Sequence, residues 1–187
     1  LDCLRRFGER LRDFSRSHVR AVATQTLREA ANRNEFLSKA EEVLGFPIEV
    51  ISGREEARLI YAGVSRLLPY QNEQKLVVDI GGRSTEMIVG KGVRALEAES
   101  FKIGSVSLSM KYFSENRYTE KGFKNAQVAA AAEIEESIET YTRHGWRAVY
   151  GSSGTVAVVS QLLQLHGVTD GTITREGLAW LKNQLLK

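Results

Sequence analysis

The chain is poor in cysteine and proline. Cys3 is its only cysteine, and Pro47 and Pro69 are its only prolines, in 187 residues. A single thiol excludes a disulfide scaffold and fits a reducing, cytoplasmic setting. No apolar run approaches the ~18 residues of a membrane-spanning helix; the uncharged stretch from Gly151 to Gly167 is broken by Ser, Gln and Gly. Nor is there a large excess of one charge. The net charge is +3, with 12 basic and 10 acidic residues up to Leu68 and 14 and 13 after it. Without a basic half or an acidic tail, composition argues against nucleic acid or a membrane surface as partner. The first 20 residues hold six Arg against Asp2, Glu9 and Asp13, with no apolar core of the kind a signal peptide needs. The hydrophobic share of 42% excludes a disordered chain. The first residue is Leu, not Met, so the expectation is a piece of a longer protein.

Periodicity places the elements. Leu4, Phe7, Leu11 and Phe14 give Leu1–Ser17 the spacing of an amphipathic helix. His18–Ala23 alternates as a strand. A helix is expected from Thr26, with Glu29 completing a capping box, to Leu44, where Gly45 stops it. Ile48–Ile51 is a short strand, and Glu55–Leu67 a helix before Pro69. Strands follow at Lys75–Asp79, Thr85–Val89 and Ala95–Ile103, then helices at Ser105–Phe113 and Gly122–Arg143. Arg147–Tyr150 is a strand, Thr155–Leu165 a helix and Arg175–Lys187 a last amphipathic helix. This order predicts α/β layering, with a lobe boundary at Pro69–Gln74.

The informative stretch is 75–90, KLVVDIGGRSTEMIVG. Taking Gly82-Arg83 as a two-residue hairpin loop of type II′, the paired residue numbers sum to 165. Asp79 then faces Glu86, and Ile80 faces Thr85. Directly opposed carboxylates destabilise a sheet by up to ~1 kcal/mol; a bound cation between them reverses that sign. Mg²⁺, which takes one or two carboxylates with phosphate oxygens, is the natural candidate. The amides of Gly81 and Gly82, with Ser84 and Thr85, suit a phosphate cradle, and Arg83 adds a charge at the tip. An ordinary hairpin with solvated acids is the competing reading. An Asp at the end of an apolar strand followed by Gly-Gly favours function.

A second glycine loop, Gly151-Ser-Ser-Gly-Thr155, follows a strand and opens a helix, where free amides and the dipole favour an anion. Thr155 equally fits a simple N-cap. Glu55 and Glu56 open another helix. The dipole alone accounts for one of them, and Glu56 suits a general base for water. Arg28 has two readings, a phosphate ligand or a helix-surface charge, and Lys102 beside Gly104 has the same two. His18, His144 and His166 lack metal-ligand spacing.

These stretches together resemble the exopolyphosphatase and guanosine pentaphosphate phosphohydrolase family (Ppx/GppA). The resemblance lies in Ala23-Thr-Gln-Thr-Leu-Arg-Glu-Ala30, Ile51-Ser-Gly-Arg-Glu-Glu-Ala-Arg58, Val78-Asp-Ile-Gly-Gly-Arg-Ser-Thr-Glu86 and Gly151-Ser-Ser-Gly-Thr155, in that order along nearly the whole chain. It implies an actin-like, ribonuclease H-type fold of two lobes with a cleft between them. Residues 1–68 would be the second half of the first lobe, and 69–187 a nearly complete second lobe. It also implies a bacterial, Mg²⁺-dependent release of terminal phosphate from polyphosphate, or of the 5′ γ-phosphate from guanosine pentaphosphate.

By matching position, Glu56 would be the catalytic base, and Asp79 and Glu86 would hold metal. Arg28, Gly81, Gly82, Arg83, Ser84, Thr85, Ser153, Gly154 and Thr155 would bind phosphate. Two departures stand out. The family's first glycine-containing phosphate loop has no counterpart here, so the fragment is expected to be inactive alone. Arg83 also stands where the family usually has a third Gly. The rival readings are a sensor that binds guanosine tetraphosphate or polyphosphate without turnover, an ATP-dependent actin-like kinase or chaperone, and an interaction lobe whose 105–143 helices form a homodimer.

Overall fold

The structure is a computed structural model that describes residues 1–68 and 72–187. Pro69, with which the expected lobe boundary begins, lies outside the described residues. The described chain forms two compact units, Leu1–Glu56 and Ala57–Lys187.

The first unit begins with α1 (Asp2–Leu11), shorter than the expected 1–17 helix. The chain turns at Arg12–Ser15, where Asp13 and Ser15 favour local turns over helix. A single 3₁₀ turn follows at Arg16–His18, its Ser15 Oγ 3.1 Å from His18 Nδ1. Gly8 is required where α1 meets the end of the later helix α3 (Arg33–Leu44), because a Cβ there would lie 2.7 Å from the Leu44 carbonyl oxygen. Strands β1 (Ala21–Ala23) and β2 (Ile48–Val50) pair in parallel.

The single helix expected between those strands is two. Helix α2 (Gln25–Glu29) ends at Ala30, whose ψ of 124° is extended, and α3 restarts after Asn32. Thr24, not Thr26, precedes the first turn, and no Thr26–Glu29 capping box forms. Asn32 and Asn34 are weak helix formers placed where the break occurs. Gly45 ends α3 as expected, in the left-handed region (φ 79°) with its N–H on the Glu41 carbonyl. Helix α4 (Gly53–Leu67) starts two residues before the expected position, and Ser52 Oγ accepts the Glu55 N–H.

The second unit is built on a four-stranded sheet in the order β5-β4-β3-β6, from β3 (Gln74–Ile80), β4 (Thr85–Lys91), β5 (Arg94–Phe101) and β6 (Ala148–Ser152). The β3–β4 and β4–β5 pairs are antiparallel, and β6 lies parallel to β3. The register matches the expectation from sequence, with Asp79 opposite Glu86 and Ile80 opposite Thr85.

Period-two alternation gives the sheet two apolar faces. On one, Val77 and Ile88 pack against Ala57 and Tyr61 of α4, all four fully buried. On the other, Leu76 and Val89 pack against Tyr141 of α6 (Glu120–His144), whose hydroxyl donates to the Met87 carbonyl at 2.6 Å. Burying each such large side chain stabilises the fold by about 1.5–3 kcal/mol. Helices on both faces make this an α/β unit. The remaining helices are α5 (Ser105–Tyr112), α7 (Ser153–Leu165) and α8 (Arg175–Leu185). Thr119 and Thr174 cap α6 and α8 by accepting the Gly122 and Gly177 N–H groups, each at 3.0 Å.

Among the described residues Tyr61 is the largest fully buried side chain, and its hydroxyl donates to the Gly92 carbonyl at 3.1 Å. Burial raises its pKa above the usual tyrosine value, which keeps the donor proton in place. Tyr61→Phe should lower unfolding stability in urea by about 1 kcal/mol, the net worth of one hydrogen bond, with an unchanged m-value.

Candidate functional site

In the second unit the site is built at the ends of β3 and β6. The hairpin joining β3 to β4 is not the expected type II′ turn. Neither Gly81 nor Gly82 has a left-handed φ, and the loop closes with one bond, Gly81 N–H to the Ser84 carbonyl at 2.9 Å. The reason is a partner 24 residues away. The Gly81 carbonyl accepts the Ser105 N–H at 2.9 Å and the Ser105 hydroxyl at 3.2 Å. The Gly82 carbonyl accepts the N–H groups of Val106 and Ser107 at 2.9 and 3.0 Å. The first amides of α5, which have no partner within the helix, are thus satisfied by the turn.

The glycines make this approach possible. A Cβ on Gly104 would lie 2.4 Å from the Gly82 carbonyl carbon, and one on Gly82 would lie 3.3 Å from Val106 Cγ2. Because each peptide is planar and trans, a carbonyl aimed at α5 forces the N–H of the same peptide the opposite way. The Gly82 and Arg83 N–H groups therefore point away from α5, and neither donates to a protein group among the described residues. Two adjacent turn amides are thus left without a protein acceptor among the described residues. Arg83 is exposed and forms no ion pair among the described residues. Ser84 and Thr85 are buried, and the Thr85 hydroxyl donates to the Ile103 carbonyl at 2.7 Å.

The second glycine loop lies next to the first. Ser152, the last residue of β6, is the register partner of Asp79. Ser153 then opens α7 in the left-handed region, φ 86°, and its hydroxyl donates to the Ile80 carbonyl at 2.8 Å. A non-glycine residue held there stores backbone strain that its surroundings must offset. Helix α7 begins at Ser153 rather than Thr155, so Ser153, Gly154 and Thr155 form its first turn. Their position at the helix N-terminus gives that end a partial positive charge. Thr155 Oγ1 lies 3.4 Å from Ser105 Oγ.

Asp79 and Glu86 lie side by side on the α4 face of the sheet. Asp79 is half-buried and Glu86 is 1% exposed. Ser100, opposite Glu86 on β5, donates its hydroxyl to Glu86 Oε1 at 2.7 Å. A buried carboxylate needs compensation, and two such oxygen donors suit a hard divalent cation.

In the first unit, Arg28 and Glu56 come together. Arg28 Nη1 lies 3.0 Å from Glu56 Oε2, with both side chains less than a fifth exposed. The same nitrogen donates to the Ile51 carbonyl at 2.8 Å. Arg28 is thus no surface charge, and Glu56 sits on the first turn of α4, held from a helix 28 residues earlier. Glu55 lies 3.8 Å from Arg20 instead.

Three residues with a part in these arrangements carried no local signal. Ser105 supplies both donors to Gly81, Ser100 binds Glu86, and Gln25 accepts from Arg28. Gly104 was conspicuous only as a neighbour of Lys102, whose own N–H goes to Glu133.

Two adjacent free amides, a helix N-terminus and a pair of acids thus lie at one end of the sheet of an α/β unit. The chain belongs to the Ppx/GppA phosphatase family, whose sequence model it matches over residues 1–187. It is 42% identical over all 187 residues to a Haemophilus influenzae protein named "Putative exopolyphosphatase", of which it covers 58%. Among solved structures, an exopolyphosphatase-like protein aligns with a TM-score of 0.79 at 30% identity, covering 87% of this chain and 52% of that one. The Aquifex aeolicus PPX-GPPA enzyme aligns with a TM-score of 0.68 at 30% identity, covering 86% and 52%. The chain thus spans little more than half the length of these relatives.

Two glycines of the 151–155 loop differ in how tightly they are packed. A Cβ on Gly151 would lie 2.2 Å from Val156 Cγ1, whereas one on Gly154 would meet nothing within 4 Å. Gly151→Ala should destabilise by about 1–3 kcal/mol, the usual penalty for overpacking. Gly154→Ala should hold or raise stability, by up to about 1 kcal/mol from helix propensity. Urea titration of the two variants checks both effects.

Proposed function

We propose that the protein carrying this chain is a phosphohydrolase of phosphoanhydride chains. It releases terminal phosphate from polyphosphate or the 5′ γ-phosphate from guanosine pentaphosphate. The observation that carries this reading is the pair of outward-directed amides at Gly82 and Arg83, beside two acidic side chains at the end of β3. Family membership supports the same reaction class.

In this reading the Gly82 and Arg83 amides and the first turn of α7 (Ser153, Gly154, Thr155) bind the terminal phosphates, while the Gly81 N–H on the Ser84 carbonyl and the Thr85 hydroxyl on the Ile103 carbonyl hold the turn in shape. Arg83 adds a charge for a polyanion. Glu56, held by Arg28, takes a proton from the attacking water, and Arg28 contributes a donor to phosphate oxygen. The amides stabilise negative charge on the non-bridging oxygens without reorganising. Asp79 and Glu86 would hold Mg²⁺, which supplies charge neutralisation on the phosphate oxygens. We further assign residues 1–68 to the first lobe and 69–187 to the second, in a cytoplasmic protein.

The test is phosphate release by the full-length protein with Mg²⁺, comparing long-chain polyphosphate, guanosine pentaphosphate and ATP. Release from either of the first two, with Glu56→Gln lowering turnover by about 10²–10⁴ and leaving substrate binding intact, is expected. Unchanged turnover in that variant removes Glu56 from the chemistry. A double-mutant cycle of Asp79→Asn and Glu86→Gln, read as the Mg²⁺ concentration for half-maximal activity, should be non-additive if one ion is shared. Independent effects overturn the shared site.

A further inference from the structure

We propose that Gln25 is a positioning residue, which holds the Arg28 guanidinium in the orientation that presents it to Glu56. The inference rests on the reading of Glu56 as the base. Gln25 is the first residue of α2 and only 9% exposed, although its amide is polar. Its Oε1 accepts from Arg28 Nε at 3.1 Å and from Nη2 at 2.8 Å. Its Nε2 donates to Glu29 Oε1. Arginine has donors only and an ionised carboxylate accepts only. The two neighbours therefore fix which end of the Gln25 amide faces each of them.

A donor count shows what this achieves. A guanidinium has five N–H donors in a rigid fork. The Nε–H and one Nη2–H go to Gln25, and the two on Nη1 go to the Ile51 carbonyl and Glu56 Oε2. One Nη2–H has no acceptor among the described residues, and it is the donor left for an anionic oxygen. Gln25 thus locks one side of the fork. Three acceptors from separate segments, Gln25, Ile51 and Glu56, then leave the plane of the group no freedom to rotate. Neutrality matters as well. Gln25 accepts two hydrogen bonds without adding a charge that would compete with Glu56 for the guanidinium. A small misplacement of a group near the chemistry lowers rate strongly, so Gln25 should act on turnover through Arg28.

The experiment is a double-mutant cycle in the full-length protein. Gln25→Met keeps the length of the side chain and removes both acceptor contacts. It should lower kcat about tenfold in the parent, yet less than about twofold in an Arg28→Ala background, where there is no fork left to hold. The same tenfold loss in both backgrounds, or none in the parent, overturns the inference. Should Gln25→Met fail to unfold cooperatively, Gln25→Leu enters the same cycle. It too removes the acceptor for Arg28 and adds no charge beside Glu29, so it should act only when Arg28 is present. Glu56→Gln is measured alongside. Wild-type turnover in that variant overturns the assignment of the base and this inference with it. An inactive Glu56→Gln with an additive Gln25 cycle leaves the base standing and overturns the role of Gln25 alone.

Discussion

The second unit depends on the seating of one hairpin turn against one helix end. Three backbone N–H groups and one hydroxyl at the start of α5 meet the carbonyls of Gly81 and Gly82. The first amides of a helix have no partner within it, and here the hairpin satisfies them. The approach tolerates no side chain at Gly104. Once the two carbonyls are committed to α5, peptide planarity dictates the direction of the two amides behind them. Two unpartnered amides then follow without any side chain having to be held in place. Ser153 completes the arrangement from the other side by tying α7 to the Ile80 carbonyl, one residue before the turn begins.

The two units divide the chemistry between side chains and backbone. In the first, the candidate groups are side chains whose positions depend on a chain of polar contacts, Glu29 to Gln25 to Arg28 to Glu56. In the second, the candidate anion donors are largely backbone, and the carboxylates sit in a sheet row with Ser100. Such an arrangement is sensitive to different kinds of change. Side-chain networks fail when one member is lost, whereas backbone donors fail only when the path of the chain changes.

Much of this was legible in the sequence, for reasons that differ by element. The β3–β4 register could be read because the two strands are joined by a short loop, so that counting outward from Gly82-Arg83 pairs Asp79 with Glu86. Gly45 announced the end of α3 because a left-handed residue at a helix terminus strongly favours glycine. The turn type was not legible, because the group that sets it is Ser105, which no local pattern links to Gly81. The break at Ala30 was hidden for a similar reason. Asn32 and Asn34 weaken the helix there without forbidding it, and the fixing of Arg28 by Gln25, Ile51 and Glu56 is tertiary. Whether Arg28 was a surface charge or a ligand could not be decided until its partner, 28 residues later, was seen beside it.

The pairing of Arg28 with Glu56 also bears on how a polyanion meets a carboxylate. A lone glutamate would repel a chain of phosphates, and the repulsion would grow as the site dried and its dielectric fell. Joined to a guanidinium at 3.0 Å, the glutamate is one half of an electrically neutral couple, and an incoming phosphate meets a dipole rather than a charge. The spare N–H on Nη2 lies on the positive half of that dipole. In the proposed reaction, the couple thus leaves no net negative charge in the path of a phosphate chain.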